Sequence, residues 1–140
     1  LGGGAMLKEA VLAGRAAAQG LGLPTPLAVG VTVLTSEGKN DNITSLVLER
    51  SLLAKQSGLD GVVASAQEAA FIHQKCGEDF IVVTPGIRLE DRAADDQQRT
   101  ATPAEAILRG SHYLVVGRPI IQASSPLEAT QKILKDMKSA

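Results

Sequence analysis

The sequence predicts an α/β fold with a parallel sheet, and three features predict it. Short β-rich runs without polar alternation recur, as in residues 27–34 and 61–64, the pattern of strands covered on both faces. Segments of helical apolar period separate them. Three helix starts share one cap grammar, Ser or Thr followed three residues later by Glu: Ser65 with Glu68, Thr102 with Glu105, and Ser125 with Glu128.

Taken in order, Met6 to Ala16 has its apolar positions on a helical period, and Gly20 with Pro24 stops it, so a first helix is expected over about residues 4–19. Leu27 to Leu34 is the first strand. A polar stretch from Thr35 to Asn42 leads into a helix from about Thr44 to Gln56, closed by Gly58, and Gly61 to Ala64 is the second strand. The cap signals place helices near 66–76, 103–109 and 126–138, with Pro103 and Pro126 at first helical positions, where a missing N–H leaves no bond unmade. Strands are expected near 80–84 and 113–117. The lead-ins Gly58-Leu59-Asp60-Gly61-Val62-Val63 and Gly110-Ser111-His112-Tyr113-Leu114-Val115 echo each other, as repeated βα units do.

Short connections between alternating elements imply right-handed crossovers. A TIM (βα)8 barrel needs about 250 residues, so four βα units in 140 correspond to about half of one. Residues 1–140 then form a single partial domain, about the last four strands of a barrel with their helices. Leu1-Gly2-Gly3-Gly4-Ala5-Met6 reads as a loop that follows a strand, which leads to the expectation of further sequence before it. A half-barrel leaves two unpaired strand edges, so self-association is expected of the 140-residue piece.

Composition narrows the function classes. With 44% apolar residues the chain has ample material for a core. A net charge of −1 and only three aromatics, Phe71, Phe80 and Tyr113, offer neither a basic footprint nor a stacking platform, so no nucleic-acid partner is expected. No apolar run approaches the roughly 20 residues of a membrane span, and none of the order of a signal peptide is present, so no membrane partner and a cytoplasmic location are expected. The single cysteine, Cys76, fits a reducing compartment.

The chemistry concentrates where two strands end. Val83-Thr84-Pro85-Gly86-Ile87-Arg88 and Val116-Gly117-Arg118-Pro119 each put glycine and arginine just past an apolar strand. Glycine allows close backbone approach, and a guanidinium supplies a forked cation suited to a phosphoester. Barrel ligands lie at the carboxyl ends of strands, with phosphates at the last two loops, here 84–102 and 117–125. Either motif alone reads equally well as a structural turn with a surface arginine; together they favour ligand binding. Most charges between Leu89 and Ala101 read as a solvated loop, although a lid over the phosphate with Gln97 as a neutral donor is the sharper alternative. His73 and Cys76, three apart on one helix, read as a surface helical pair, with no metal site. His112 opens a strand at its amino end and reads as structural.

In order and spacing, Leu34-Thr35-Ser36, Gly58-Leu59-Asp60-Gly61-Val62-Val63, Ser65-Ala66-Gln67-Glu68, the Thr-Pro-Gly-Ile-Arg run and Val116-Gly117-Arg118-Pro119-Ile120 resemble the carboxyl-terminal part of bacterial orotidine 5'-phosphate decarboxylases. The resemblance implies a (βα)8 barrel, a homodimer, and conversion of orotidine 5'-monophosphate to UMP and CO2, the last step of de novo pyrimidine synthesis, with no metal and no cofactor. It implies that Thr35 contacts substrate, that Arg88 and Gln97 belong to the phosphate-side loop, and that Gly117 and Arg118 hold the phosphate. The family's chemistry uses an alternating Lys and Asp array, partly from an Asp-x-Lys-x-x-Asp segment, and that pattern does not occur in these 140 residues. No catalytic residue is therefore assigned in this chain, and alone it is expected to bind nucleotide weakly and turn over negligibly. Two readings stay open beside this one: a related sugar-phosphate barrel of the hexulose-phosphate synthase type, with metal-linked enediolate chemistry, and a non-catalytic phosphate-binding half-barrel.

Overall fold

A computed structural model describes residues 3–33, 42–89 and 99–140. Its elements run α1 (Gly3–Gly20), β1 (Val29–Val31), α2 (Ile43–Gln56), β2 (Gly61–Val63), α3 (Ala66–Cys76), β3 (Ile81–Thr84), α4 (Pro103–Leu108), β4 (Tyr113–Leu114), α5 (Arg118–Ile121) and α6 (Pro126–Met137). The strands form one parallel sheet in the order β1-β2-β3-β4, with Val29 opposite Gly61, Gly61 opposite Ile81, and Val83 opposite Tyr113. Sequential parallel strands joined through helices are the unit of a βα barrel.

The two middle strands are covered on both faces, and the outer two are not. Val62 and Val82 are fully buried, whereas Val31 and Tyr113 are more than half exposed. The expectation of a doubly covered first strand is thus corrected: β1 lies at an open edge and pairs only with β2. Both outer strands are also shorter than the sequence suggests, β1 by several residues and β4 by three, because pairing to one neighbour stops where that neighbour's ladder stops.

The core is built between α1, α2 and α3 and the sheet, from Val11, Val47, Ala54, Val62, Ala69, Ile72, Phe80 and Val82. A second cluster at the carboxyl end of the sheet joins Ala66, Ile87, Ala101 and Ala106, with Leu114 and Val116 against it. A mainly apolar cavity of about 480 Å³, lined by Met6, Leu7, Val31, Leu53 and Ala54 among others, lies between α1, β1 and α2 at the open edge. Its surface suits another apolar element rather than an anion.

The amino-end turns confirm the repeated lead-in. Gly58 and Gly110 both have positive φ, +85° and +98°, and each closes a helix before the next strand. Asp60 adds a tie the sequence reading missed: its carboxylate accepts from the Ala28 amide at 2.7 Å and from Arg15 of α1 at 3.2 Å.

Of the three cap boxes, one is complete. Thr102 Oγ1 accepts from the Glu105 amide at 3.2 Å, and the Glu105 carboxylate accepts from the Thr102 amide at 3.0 Å. Ser125 accepts from the Glu128 amide at 3.4 Å. Ser65 departs from the pattern in both halves: its Oγ accepts from the Gln67 amide rather than that of Glu68, and the Glu68 carboxylate goes to Arg99 rather than back to the cap amide.

His73 and Cys76 are also corrected, since both are buried rather than a surface pair. The His73 ring donates from Nε2 to the Gly110 carbonyl at 2.7 Å, lies 3.3 Å from the Gly77 carbonyl through Nδ1, and meets His112 edge to face at 5.2 Å. His112 is structural as expected: its Nδ1 accepts from the Val82 amide at 3.2 Å. Helical period alone could not show that Gly110 and His112, in the turn between α4 and β4, would meet this face of α3.

Candidate functional site

The carboxyl ends of β3 and β4 carry the two glycine–arginine turns, and local structure explains how each is built. Thr84 ends β3 with its hydroxyl in a 2.6 Å hydrogen bond to Ser111 Oγ, both fully buried, which locks the strand end from below. Pro85 and Gly86 then turn the chain. Gly86 has φ +81°, a conformation in which a Cβ would be strained, so glycine is required there. Beyond it the backbone forms a strap: the Ala101 amide donates to Gly86 O at 3.3 Å, and the Arg88 amide donates to Ala101 O at 3.0 Å. Ile87, between them, is buried in the second cluster and anchors the turn.

Arg88 is half-buried, and its guanidinium donates back to the Ile87 carbonyl at 2.8 Å, which curls the side chain over its own turn. Gly117 follows β4 with φ −110° and ψ −95° and precedes the single turn α5, which carries Arg118. Where its Cβ would lie, no atom of the described residues comes within 4 Å. The described residues therefore leave the Gly117 backbone open to a ligand. The sequence reading did not foresee α5, whose four residues are too few for a helical period, although Pro119 next to Gly117 was a usable signal.

Packing brings the two turns together. Ile87 and Val116, one residue before Arg88 and one before Gly117, belong to the same cluster. Leu89 and Pro119, each one residue after an arginine, line one depression of about 230 Å³ with Ser124, Ser125 and Lys132. Arg88, Gly117 and Arg118 thus sit on adjacent loops on one face of the sheet. Of the remaining expected site residues, Thr35 and Gln97 lie outside the described residues.

A charged pair borders this face that sequence reasoning did not find. Glu68, in the first turn of α3, is buried at 2% exposure, and its Oε1 accepts from Arg99. Arg99 also donates from Nε to Gln67 Oε1 at 3.4 Å. Glu68 Oε2 is buried and has no hydrogen-bond partner among the described residues. Burial lowers the pKa of the Arg99 guanidinium from its ordinary value, but it stays protonated in any physiological range. The cap rule hid this pair, because it assigns Glu68 a local partner.

Among the described residues, no group of three His, Cys, Asp or Glu side chains is placed to hold a metal ion, and no helix is long and apolar enough to cross a membrane. One Asp has a Lys two residues on, Asp136 with Lys138, and it belongs elsewhere. The Asp136 carboxylate accepts from the Ala104 amide at 3.0 Å and joins the end of α6 to the start of α4.

Fold and face together define a segment of a βα barrel that carries its two glycine–arginine turns at the carboxyl ends of its strands. The chain belongs to the orotidine 5'-phosphate decarboxylase / HUMPS family, whose profile matches residues 1–133. It is 48% identical to an orotidine 5'-phosphate decarboxylase of Legionella pneumophila, over 83% of this chain and 54% of that protein. It is likewise 48% identical to the one of Coxiella burnetii, over 81% of this chain and 52% of that protein. A crystal structure of orotidine 5'-phosphate decarboxylase from Lactobacillus acidophilus superposes with a TM-score of 0.79 at 37% identity, covering 97% of this chain and 59% of that one. The chain spans about half the length of the curated relatives it matches.

Proposed function

We propose that this chain is the phosphate-binding half of an orotidine 5'-phosphate decarboxylase, which converts orotidine 5'-monophosphate to UMP and CO2 in pyrimidine biosynthesis. The observation that carries the reading is the placement of the Thr-Pro-Gly-Ile-Arg and Gly-Arg-Pro turns on neighbouring loops, in a chain nearly half identical to proteins of that name. In this reading loops 84–102 and 117–125 hold the phosphate. Arg88 and Arg118 supply charge-assisted donors, Gly117 admits the phosphate to the backbone, and Thr35 and Gln97 contact the substrate.

The division of labour follows from the chemistry. Decarboxylation leaves electron density on the reacting carbon, which must be protonated. The 140 residues do not contain the Asp-x-Lys-x-x-Asp pattern that the resemblance assigns to that task. Phosphate binding remote from the carbon lowers the barrier only when it is coupled to groups beside the carbon. The decarboxylating groups therefore come from residues outside these 140, no metal or cofactor takes part, and the assembled enzyme works as a cytoplasmic homodimer.

The test is the intact mass of the natively expressed protein together with its turnover of orotidine 5'-monophosphate. Turnover by a species well above 14.5 kDa supports the reading, and turnover by a 14.5 kDa species contradicts it. Activity that survives exhaustive chelation separates it from the metal-linked sugar-phosphate enzymes.

A further inference from the structure

Glu68 occupies a position where the simplest use of a carboxylate is local. Three residues after Ser65, it could reach back to the cap amide, as Glu105 does for Thr102. Instead its side chain crosses to Arg99, thirty-one residues away, and Gln67 beside it takes a second contact from the same guanidinium. Two consecutive side chains of α3 thus grip one arginine.

That arginine stands two residues before Ala101, whose amide and carbonyl form the strap to Gly86 and Arg88. The chain of contact runs from the first turn of α3 to Arg99, along two residues to Ala101, and across two backbone hydrogen bonds to the turn that presents Arg88. The two strap bonds are 3.3 and 3.0 Å long. The Glu68 side chain is 3% exposed and that of Arg99 14%, so the pair is shielded from the screening that weakens surface pairs.

Net stability is a poor explanation for such a pair. Desolvating two charges offsets most of their attraction, and apolar residues of similar volume often stabilise a site as well or better. What a shielded pair supplies, with the guanidinium shared between Glu68 and Gln67, is a fixed geometry. We infer that Glu68 is a positioning residue: through Arg99 it fixes the Gly86–Ala101–Arg88 strap and so the placement of Arg88 at the phosphate site. The inference rests on the functional reading above for the identity of the ligand, but the mechanical part stands on the contacts alone.

The test uses the 140-residue chain and two variants, with UMP as the probe. Glu68→Gln removes the charge and leaves Arg99 buried without its counter-ion, which threatens folding. The double variant Glu68→Leu with Arg99→Leu removes both charges together and keeps the volume, so the fold persists. In the double variant the amides of Arg88 and Ala101 exchange with solvent at least about tenfold faster, while Ile72 and Val82 exchange as in the parent, and UMP affinity falls about tenfold. A purely structural role would move the core amides or the melting temperature and not the strap alone. Where the parent binds UMP, unchanged affinity in the double variant overturns the inference, and so does unchanged exchange at Arg88 and Ala101. If the parent fails to bind UMP while the strap still loosens in the double variant, the mechanical role of Glu68 is upheld, and the phosphate reading is decided by turnover of the natively expressed protein as above.

Discussion

Glycines at the two ends of the sheet do opposite things. At the amino end, a Cβ on Gly61 would stand 2.3 Å from the Ile81 carbonyl oxygen, and one on Gly110 would stand 2.7 Å from the His73 ring. At the carboxyl end, Gly117 has nothing among the described residues within 4 Å of the same position. The first two are glycine because the fold is closed there. The third leaves room that the described residues do not fill. Most side chains repeat the contrast: His73, His112 and Asp60 are satisfied by backbone and neighbours at the amino end, where Ser57 Oγ stays buried without a hydrogen-bond partner among the described residues, while at the other end a charged group, Glu68, keeps a buried oxygen without one. The amino end is closed by its own packing, and the carboxyl end is the one for which we propose a ligand.

Substitutions at matched glycines are the strongest way to break that comparison. Gly61→Ala drives a methyl into backbone that cannot yield, and we expect destabilisation of about 3 kcal/mol or more in chemical denaturation. Gly117→Ala should melt with the parent and lose UMP binding. Equal loss of stability at both positions would erase the distinction between the two ends.

His73→Ala comes next. It removes the donor to Gly110 O and opens a void under α3, for an expected loss of about 2–4 kcal/mol by urea denaturation, with UMP binding intact in the folded fraction. Arg118→Ala is the converse: a loss of about 1.5–3 kcal/mol in UMP affinity by calorimetric titration, larger than its effect on urea denaturation.

Cys76 gives the smallest effect. Burial pushes its thiol pKa above the ordinary 9.0, partly countered by the nearby Lys55 ammonium, which donates to the Cys76 carbonyl. A raised pKa in the folded chain means that the unfolded thiol ionises first as pH rises. This contribution is therefore complete below the unfolded pKa and is lost as pH climbs through the folded one. Stability should sag gently above about pH 9 in the parent and not in Cys76→Ala, with thiol alkylation at neutral pH slow until the chain unfolds.

Much of this was legible in the sequence for physical reasons. Continuous Val runs marked buried strands, and Gly with Arg after a strand marked the two turns, because few residue types satisfy those conditions. Strand length at β1 and β4 was not legible, since it depends on how many neighbours a strand has. The burial of His73 was missed because it is created by Gly110 and His112, thirty-seven and thirty-nine residues on. Glu68 was misread for the same reason: a local rule explained it well enough to conceal a distant partner. The relatives place the chain in its family; they do not by themselves assign a role to any residue.

The most direct test of the account is an amide-resolved NMR titration of the 140-residue chain with UMP, and with uridine as the control that lacks a phosphate. The account predicts shifts concentrated at residues 86–88 and 117–119 with UMP, reversed by excess inorganic phosphate, and none there with uridine. Equal shifts with uridine, or shifts centred on the amino-end turns at residues 58–61 and 110–112, would contradict it.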